Sequence, residues 1–365
     1  MLRPQTSILF FIALIVFLLP FSLGSSMLDS IISSYVRQLQ LLLPYFVLLL
    51  AIPLSHNVVT AAIVGFVFGN LFAAMYAFMM YANGFIFFGG RLTYSEDYNP
   101  TVFGANIASS LTLMIYLVKT KVARPWIWVI IAPVLVLALL LSQSRNALAA
   151  LALALLLSGF LYLKTAFSLK RGHFLVSSVL LRNTIYTLIV LMVIFVAIFF
   201  SIQNMDVDPR FFTRVEATFD SLSGNASATE ATANRNLIWT FYLQQDIPFF
   251  GLGFENRGAL IWELGYSDFP HNSFILTYVQ GGVIFFIGYL VFNYFLFREF
   301  VRKPNDKNTL IVTALFCFFL NFGNDAYQYT YFWVPLALIL GAQLQNLQRS
   351  KELNQTRAPT AGQSS

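Results

Sequence analysis

Ser273-Phe-Ile-Leu-Thr-Tyr-Val-Gln-Gly-Gly-Val-Ile-Phe-Phe-Ile-Gly-Tyr-Leu-Val-Phe-Asn-Tyr-Phe-Leu-Phe297 runs for 25 residues without one charged side chain. As a helix it would be about 37 Å long, enough to cross the roughly 30 Å hydrocarbon core of a bilayer. The rest of the chain has the same character. Of 365 residues, 58% are hydrophobic and only 10% charged, and the mean hydropathy is +0.71. Soluble domains carry roughly 25% charged residues, so this chain lacks the charge to cover a globular surface. The composition predicts an all-α polytopic membrane protein and excludes a cytosolic enzyme, a nucleic-acid binder and a disordered scaffold. The single cysteine, Cys317, lies in an apolar run, which excludes an intramolecular disulfide and a cysteine metal site.

About ten spans are expected, near 7–24, 39–54, 57–82, 101–118, 124–141, 146–163, 183–201, 273–297, 308–321 and 330–344. The first resembles a signal peptide, but with so many spans downstream it reads as an uncleaved helix. With a cytoplasmic N-terminus and ten crossings, Arg37, Arg91, Arg145, Arg210, Arg214, Arg235 and Arg257 fall outside, and all other basic residues fall inside. Of the acids, only Glu299, Asp306 and Glu352 fall inside. That asymmetry is the positive-inside pattern, and an odd number of spans would scramble it. Both termini are then cytoplasmic. Every outer basic residue is an arginine, the side chain whose planar fork grips phosphate or carboxylate.

The chain divides into spans one to seven (1–201), one large outer loop (202–272), spans eight to ten (273–345) and a cytoplasmic tail (346–365). Within the loop, Ser221 to Ala233 is small and polar and reads as mobile; its Asn225-Ala-Ser sequon matters only in a eukaryotic secretory pathway. Asn234 to Asp246 has helical length, with Leu237, Ile238, Phe241, Tyr242 and Leu243 able to share an apolar face in the interface. Pro248 and Gly251-Leu-Gly253 end it in a turn. His271 closes the loop at the membrane–water boundary, where imidazole suits a general base near neutral pH.

Arg235-x-x-x-Trp239, Gly251-Leu-Gly-Phe254, and His271-Asn-Ser273 followed by Gly281-Gly282 together resemble the outer loop of the O-antigen ligase and O-antigen polymerase superfamily. Ser142-Gln-Ser-Arg145-Asn-Ala-Leu resembles an earlier Ser-Arg signature of that family, and Gly90-Arg91-Leu with Asn99 another of its positions. Phe285 departs from the ligase pattern, which has a small residue or tyrosine there. The resemblance implies a glycosyltransferase of the bacterial inner membrane with a periplasmic active site. Its donor would be an undecaprenyl-diphosphate-linked glycan, and its acceptor a hydroxyl of lipid A–core oligosaccharide or of a second lipid-linked glycan. It implies no cofactor, no metal and no nucleic-acid partner. His271, Arg235 and Arg145 would be catalytic, with both arginines on the diphosphate and His271 taking the hydroxyl proton. Arg91, Asn272, Ser273, Trp239, Gly251 and Gly253 would bind substrate.

The same residues have plainer readings. Arg145 can anchor a span, Trp239 and Tyr242 can be interfacial belt residues, and Gly251 and Gly253 can simply make a turn. Arg210 and Arg214 have Glu216 and Asp220 near enough to neutralise them, and Asn324-Asp325 is a weak sugar-binding signal. Ligase and polymerase stay close on sequence, with protein O-oligosaccharyltransferase behind them. A lipid-linked glycan transporter is the rival from another class, but it would want ionisable residues inside the spans, and these spans carry almost none.

Overall fold

The computed structural model describes residues 4–22, 58–85, 90–122, 124–168, 235–253, 270–301 and 310–356, with isolated positions 36, 40, 43 and 87. Among the described residues there are helices and no strands: α1 (Pro4–Ser22), α2 (Val58–Ala82), α3 (Pro100–Lys119), α4 (Pro125–Leu141), α5 (Arg145–Ser168), α6 (Arg235–Gln244), α7 (Ser273–Val301), α8 (Leu310–Leu320) and α9 (Thr330–Thr356), with a 3₁₀ turn at Ala326–Gln328. Eight of the ten expected spans fall on these helices. The expected spans 39–54 and 183–201, the stretch 221–233, and Arg37, Arg210, Arg214 and Arg257 lie outside the described residues. Val58–Ala82, Pro100–Lys119 and Ser273–Arg298 are each long and apolar enough to cross a membrane; the apolar parts of the others are shorter.

The helices start where local chemistry supplies a start. Asn99 caps α3, its Oδ1 accepting from Thr101 N at 2.8 Å, and Pro100 occupies the first helical position, where its missing N–H costs nothing. Polar residues inside α3 satisfy themselves against the helix: Ser109 and Ser110 donate to carbonyls four residues back at 2.9 and 3.2 Å. That is the cheapest arrangement for a hydroxyl with no water nearby. Burial separates centre from edge: the apolar window of α3 is 72% buried, that of α2 only 22%. α8 is the innermost helix, touching α5, α3, α7 and α9, and nine of its eleven residues are buried. α1 crosses α7, with Phe11 seated among Phe285, Tyr289, Phe292 and Trp333 at ring separations of 4.8–5.7 Å.

α7 is broken at Gly282, which has φ 64° and ψ −160°, a conformation reserved for glycine. The break strands backbone groups in mid-helix, and the 249–253 segment takes them up. Leu252 N donates to Val279 O at 2.8 Å, Gly253 N to Gln280 O at 3.0 Å, and Val283 N to Phe249 O at 3.2 Å. Irregular backbone inside an apolar bundle survives only when paired in this way. A side chain cannot fit between the two segments: a Cβ on Gly282 would lie 2.0 Å from Phe249 O, and one on Gly251 would lie 2.4 Å from Gln280. Gly282→Ala is therefore expected to cost about 2 kcal/mol or more. Gly65→Ala, in an open helical position, is expected to be neutral or stabilising by about 0.5–1 kcal/mol. Thermal unfolding of the detergent-purified variants checks both signs.

Candidate functional site

α8 closes its last turn with its own backbone, Asn321 N donating to Phe318 O, Phe322 N to Phe319 O and Asn324 N to Leu320 O. Leu320 and the 321–324 turn that follows it also take donors from three other segments of the chain. Asn146 Nδ2 reaches Leu320 O at 3.4 Å, Ser273 N reaches Asn321 O at 2.9 Å, and Asn272 Nδ2 reaches Phe322 O at 3.4 Å. Arg235 Nη1 donates to Gly323 O at 3.0 Å, and Ser273 Oγ to Asn324 O at 2.9 Å. Below this turn Asn321 is itself clamped: its Oδ1 accepts from Tyr289 OH at 2.5 Å and its Nδ2 donates to Asn293 Oδ1 at 3.2 Å. The segments carrying Arg235, His271 and Arg145 thus meet on the 321–324 turn.

The Ser-Gln-Ser-Arg motif forms the α4–α5 turn. Ser142 and Ser144 are buried, and α3 passes so close that a Cβ on Gly104 would lie 2.5 Å from both. Small residues are needed there for packing. Gln143 takes a left-handed φ of 52°, and Arg145 emerges exposed as the first residue of α5. Arg91 braces the same turn, with Nε donating to Ser142 O at 3.0 Å and Nη2 to Thr101 Oγ1 at 3.1 Å. It ties the first turn of α3 to the α4–α5 turn. Asn146 packs against Gly323, where a Cβ would lie 2.1 Å from its Oδ1, so the partner of Arg235 is held by the residue next to Arg145.

His271 is half-buried, with a left-handed φ of 46°. Outside glycine such a conformation is uncommon, costs of order 1 kcal/mol or more, and clusters where function fixes geometry. Here the neighbours impose it. Trp239 Nε1 donates to Pro270 O at 2.5 Å just before it. Just after it, Asn272 caps α7, its Oδ1 accepting from Phe274 N at 2.9 Å and Ile275 N at 3.2 Å. The Asn272 carboxamide is therefore engaged in capping and bracing. Ser273 is fully buried, and its hydroxyl both donates to Asn324 O and accepts from Ala326 N at 2.8 Å. Gly251 and Gly253, with φ of 79° and 89°, serve the paired segment against α7. α6 docks on α7 through Ile238 and Tyr242 against Val279, whereas Leu237 and Leu243 of the expected apolar face stay exposed.

Electrostatically this end of the bundle is positive. Arg145 and Arg235 each open a helix, α5 and α6, and His271 precedes the cap of α7. Three helix N-termini, each carrying about half a positive charge, gather with two guanidinium groups, which suits an anion. Beside them an apolar groove of about 780 Å³ runs along α7 from Asn272 past Tyr278, Phe286 and Tyr294 to Phe297, closed on the other side by Phe318 and Phe322. Leu243 of α6 also lines it. Among the described residues no three His, Cys, Asp or Glu side chains cluster as a metal site would need.

Sequence reasoning undervalued Asn321-Phe-Gly-Asn-Asp325. It read only Asn324-Asp325, and only as a weak sugar contact. The available signal was an Asn/Gly-rich turn after a wholly apolar helix, where orphan carbonyls are unavoidable. Ser273→Ala, which removes one donor and one acceptor from buried partners, is expected to destabilise by about 1–3 kcal/mol. Gly323→Ala is expected to displace Asn146 and weaken the Arg235 contact. Melting temperatures of the purified variants check the pair.

Comparison with known proteins found no matching curated protein and no matching solved structure. Residues 130–290, from α4 to the middle of α7, match the family model described as O-antigen ligase. That segment contains Arg145, Arg235, Trp239, Gly251, Gly253 and His271 to Ser273, whereas Arg91 and the 321–325 turn lie outside it. The chain is an integral membrane protein, and the match of residues 130–290 to the O-antigen ligase family model supports the resemblance to the O-antigen ligase and polymerase superfamily.

Proposed function

We propose that this protein is an O-antigen ligase-type glycosyltransferase, moving a glycan from undecaprenyl diphosphate to a hydroxyl of lipid A–core at the periplasmic face of the inner membrane. The observation that carries this reading is the meeting of the Arg235, Arg145 and His271 segments on the 321–324 turn, beside an apolar groove. A diphosphate on a polyprenyl tail has those two halves: an anion for the guanidinium groups and helix N-termini, and a hydrocarbon chain for the groove.

In the proposed step the acceptor oxygen attacks the anomeric carbon as the bond from that carbon to the phosphate oxygen breaks. Arg145 and Arg235 stabilise the charge growing on the departing diphosphate, which is worth most in a water-poor site. His271 takes the acceptor's proton, and direct displacement inverts the anomeric configuration. Trp239 and Asn272 act through His271, by fixing the backbone on either side of it.

Deleting the gene is expected to abolish long-chain lipopolysaccharide on a gel while lipid-linked polymer accumulates. A single repeat on the core would instead indicate a polymerase, and unchanged lipopolysaccharide with an unglycosylated protein would indicate an O-oligosaccharyltransferase. Complementation with Arg235→Ala or His271→Ala is expected to lower transfer at least about 10²-fold with the protein still in the membrane; full activity in both would overturn the site. Sidedness has its own check. Cys317 is fully buried, so a membrane-impermeant maleimide should report only an introduced cysteine. Asp97→Cys, in the exposed segment beside Arg91, is expected to label in cells with only the outer membrane opened. Lys121→Cys, at the opposite end of α3, should label only after the inner membrane is broken.

A further inference from the structure

A second cavity, of about 380 Å³, lies between α2 and α3 beneath the segment that joins them. Tyr94 and Tyr98 stack at 4.3 Å between ring centroids and line it, with Phe103, Asn70, Asn106 and Tyr76 completing most of the wall. The platform is firmly built. Tyr94 meets Phe103 edge-on at 6.0 Å, Thr93 Oγ1 donates to Tyr98 O at 2.7 Å, and Asn106 Nδ2 donates to Tyr98 OH at 2.9 Å. Burial raises both phenols above their ordinary range, so each stays a neutral O–H. Asn70 Nδ2 is held by Phe66 O at 3.0 Å. Asn106 spends both amide N–H groups on protein, on Tyr98 OH and Val102 O, and Asn70 spends one, which leaves two amide oxygens as acceptors and one Asn70 N–H as a donor.

The lining selects among ligands. It contains no charged side chain, so it offers nothing to a phosphate or carboxylate. It contains no His, Cys, Asp or Glu, so it offers little to a metal. A hydrocarbon chain would leave two amide oxygens and the remaining Asn70 N–H desolvated without partners, which is costly. A ligand with an apolar face for the tyrosines and hydroxyl groups for the amide oxygens meets every requirement, and a pyranose ring is such a ligand. Arg91 lies shortly before Tyr94 in the chain, its guanidinium on Thr101 and on the α4–α5 turn that leads into Arg145, so one short segment links the cavity to the proposed diphosphate site.

From these observations we infer that the Tyr94–Tyr98 cavity is a carbohydrate subsite that holds a neutral sugar residue of a glycan chain. That the glycan is a transfer substrate rests on the function proposed above; that the cavity binds sugar does not. The sugar can belong to the donor glycan or to the acceptor core, and the two are separable.

The test uses the intact protein in nanodiscs and saturation-transfer NMR with two probes: the oligosaccharide freed from the lipid-linked donor by mild acid, and the core oligosaccharide freed likewise from lipid A. One of them is expected to show transfer to its ring C–H protons, and that one names the source. Tyr94→Leu is expected to weaken its binding about tenfold. Ala73→Phe, which fills the cavity from α2 without touching the tyrosine segment, is expected to abolish it. Arg235→Ala is expected to leave it in place. In transfer assays Tyr94→Leu should raise KM for the bound partner with little change in kcat. No signal from either probe, or equal binding by wild type, Tyr94→Leu and Ala73→Phe, overturns the subsite while leaving the proposed transferase intact. Sugar binding that depends on Tyr94, in a protein that transfers no glycan, supports the subsite and overturns the transferase.

Discussion

A helix that ends in the interior of a membrane protein leaves carbonyl groups that water cannot satisfy, and the C-terminus of α8 is such an end. The carbonyls of the 321–324 turn that follows it are met by Ser273, Asn272 and Arg235, and Asn146 reaches Leu320 O beside them. An unmet buried carbonyl costs about 1–3 kcal/mol, so the requirement is strong enough to fix where three separate segments lie. The positions of Arg145 and His271 follow from it, each one residue from a group that binds the turn. The framework of the site is thus a solution to a backbone hydrogen-bonding problem.

The same arrangement explains the charge. Donors that reach a helix C-terminus tend to come from the starts of other helices, where polar caps and N–H groups are found, so α5, α6 and α7 all begin at this end. Their positive ends add to the charge of Arg145 and Arg235. The groove along α7 departs from the same place and is almost wholly apolar, so a ligand with an anionic head and a hydrocarbon tail fits both.

The glycines show how the motif pattern and the fold meet. Gly251-x-Gly253 and Gly281-Gly282 are far apart in the chain and short as motifs, yet they are the two sides of one contact. Neither Gly251 nor Gly282 could carry a Cβ, because the backbone of each segment occupies the space beside the other. Reading Gly251 and Gly253 as turn residues was close, but the reason for two glycines in a row inside an apolar span was not visible from the span itself. Asn272 and Ser273, the expected substrate contacts beside His271, are tied by hydrogen bonds to the start of α7 and to the 321–324 turn.

Apolar composition and helix length are local properties, and the sequence alone determined them: a helical membrane protein, the positions of its nine described α-helices, and a short list of polar residues near their ends. Those follow from the cost of exposing backbone to hydrocarbon, which depends only on neighbours in the chain. Which polar residues share a site depends on contacts across 50 to 174 positions, as between Asn272 and Phe322 or Asn146 and Leu320. Only tertiary structure decided those, because a carbonyl at the end of a helix can be satisfied by any donor that the packing brings within reach.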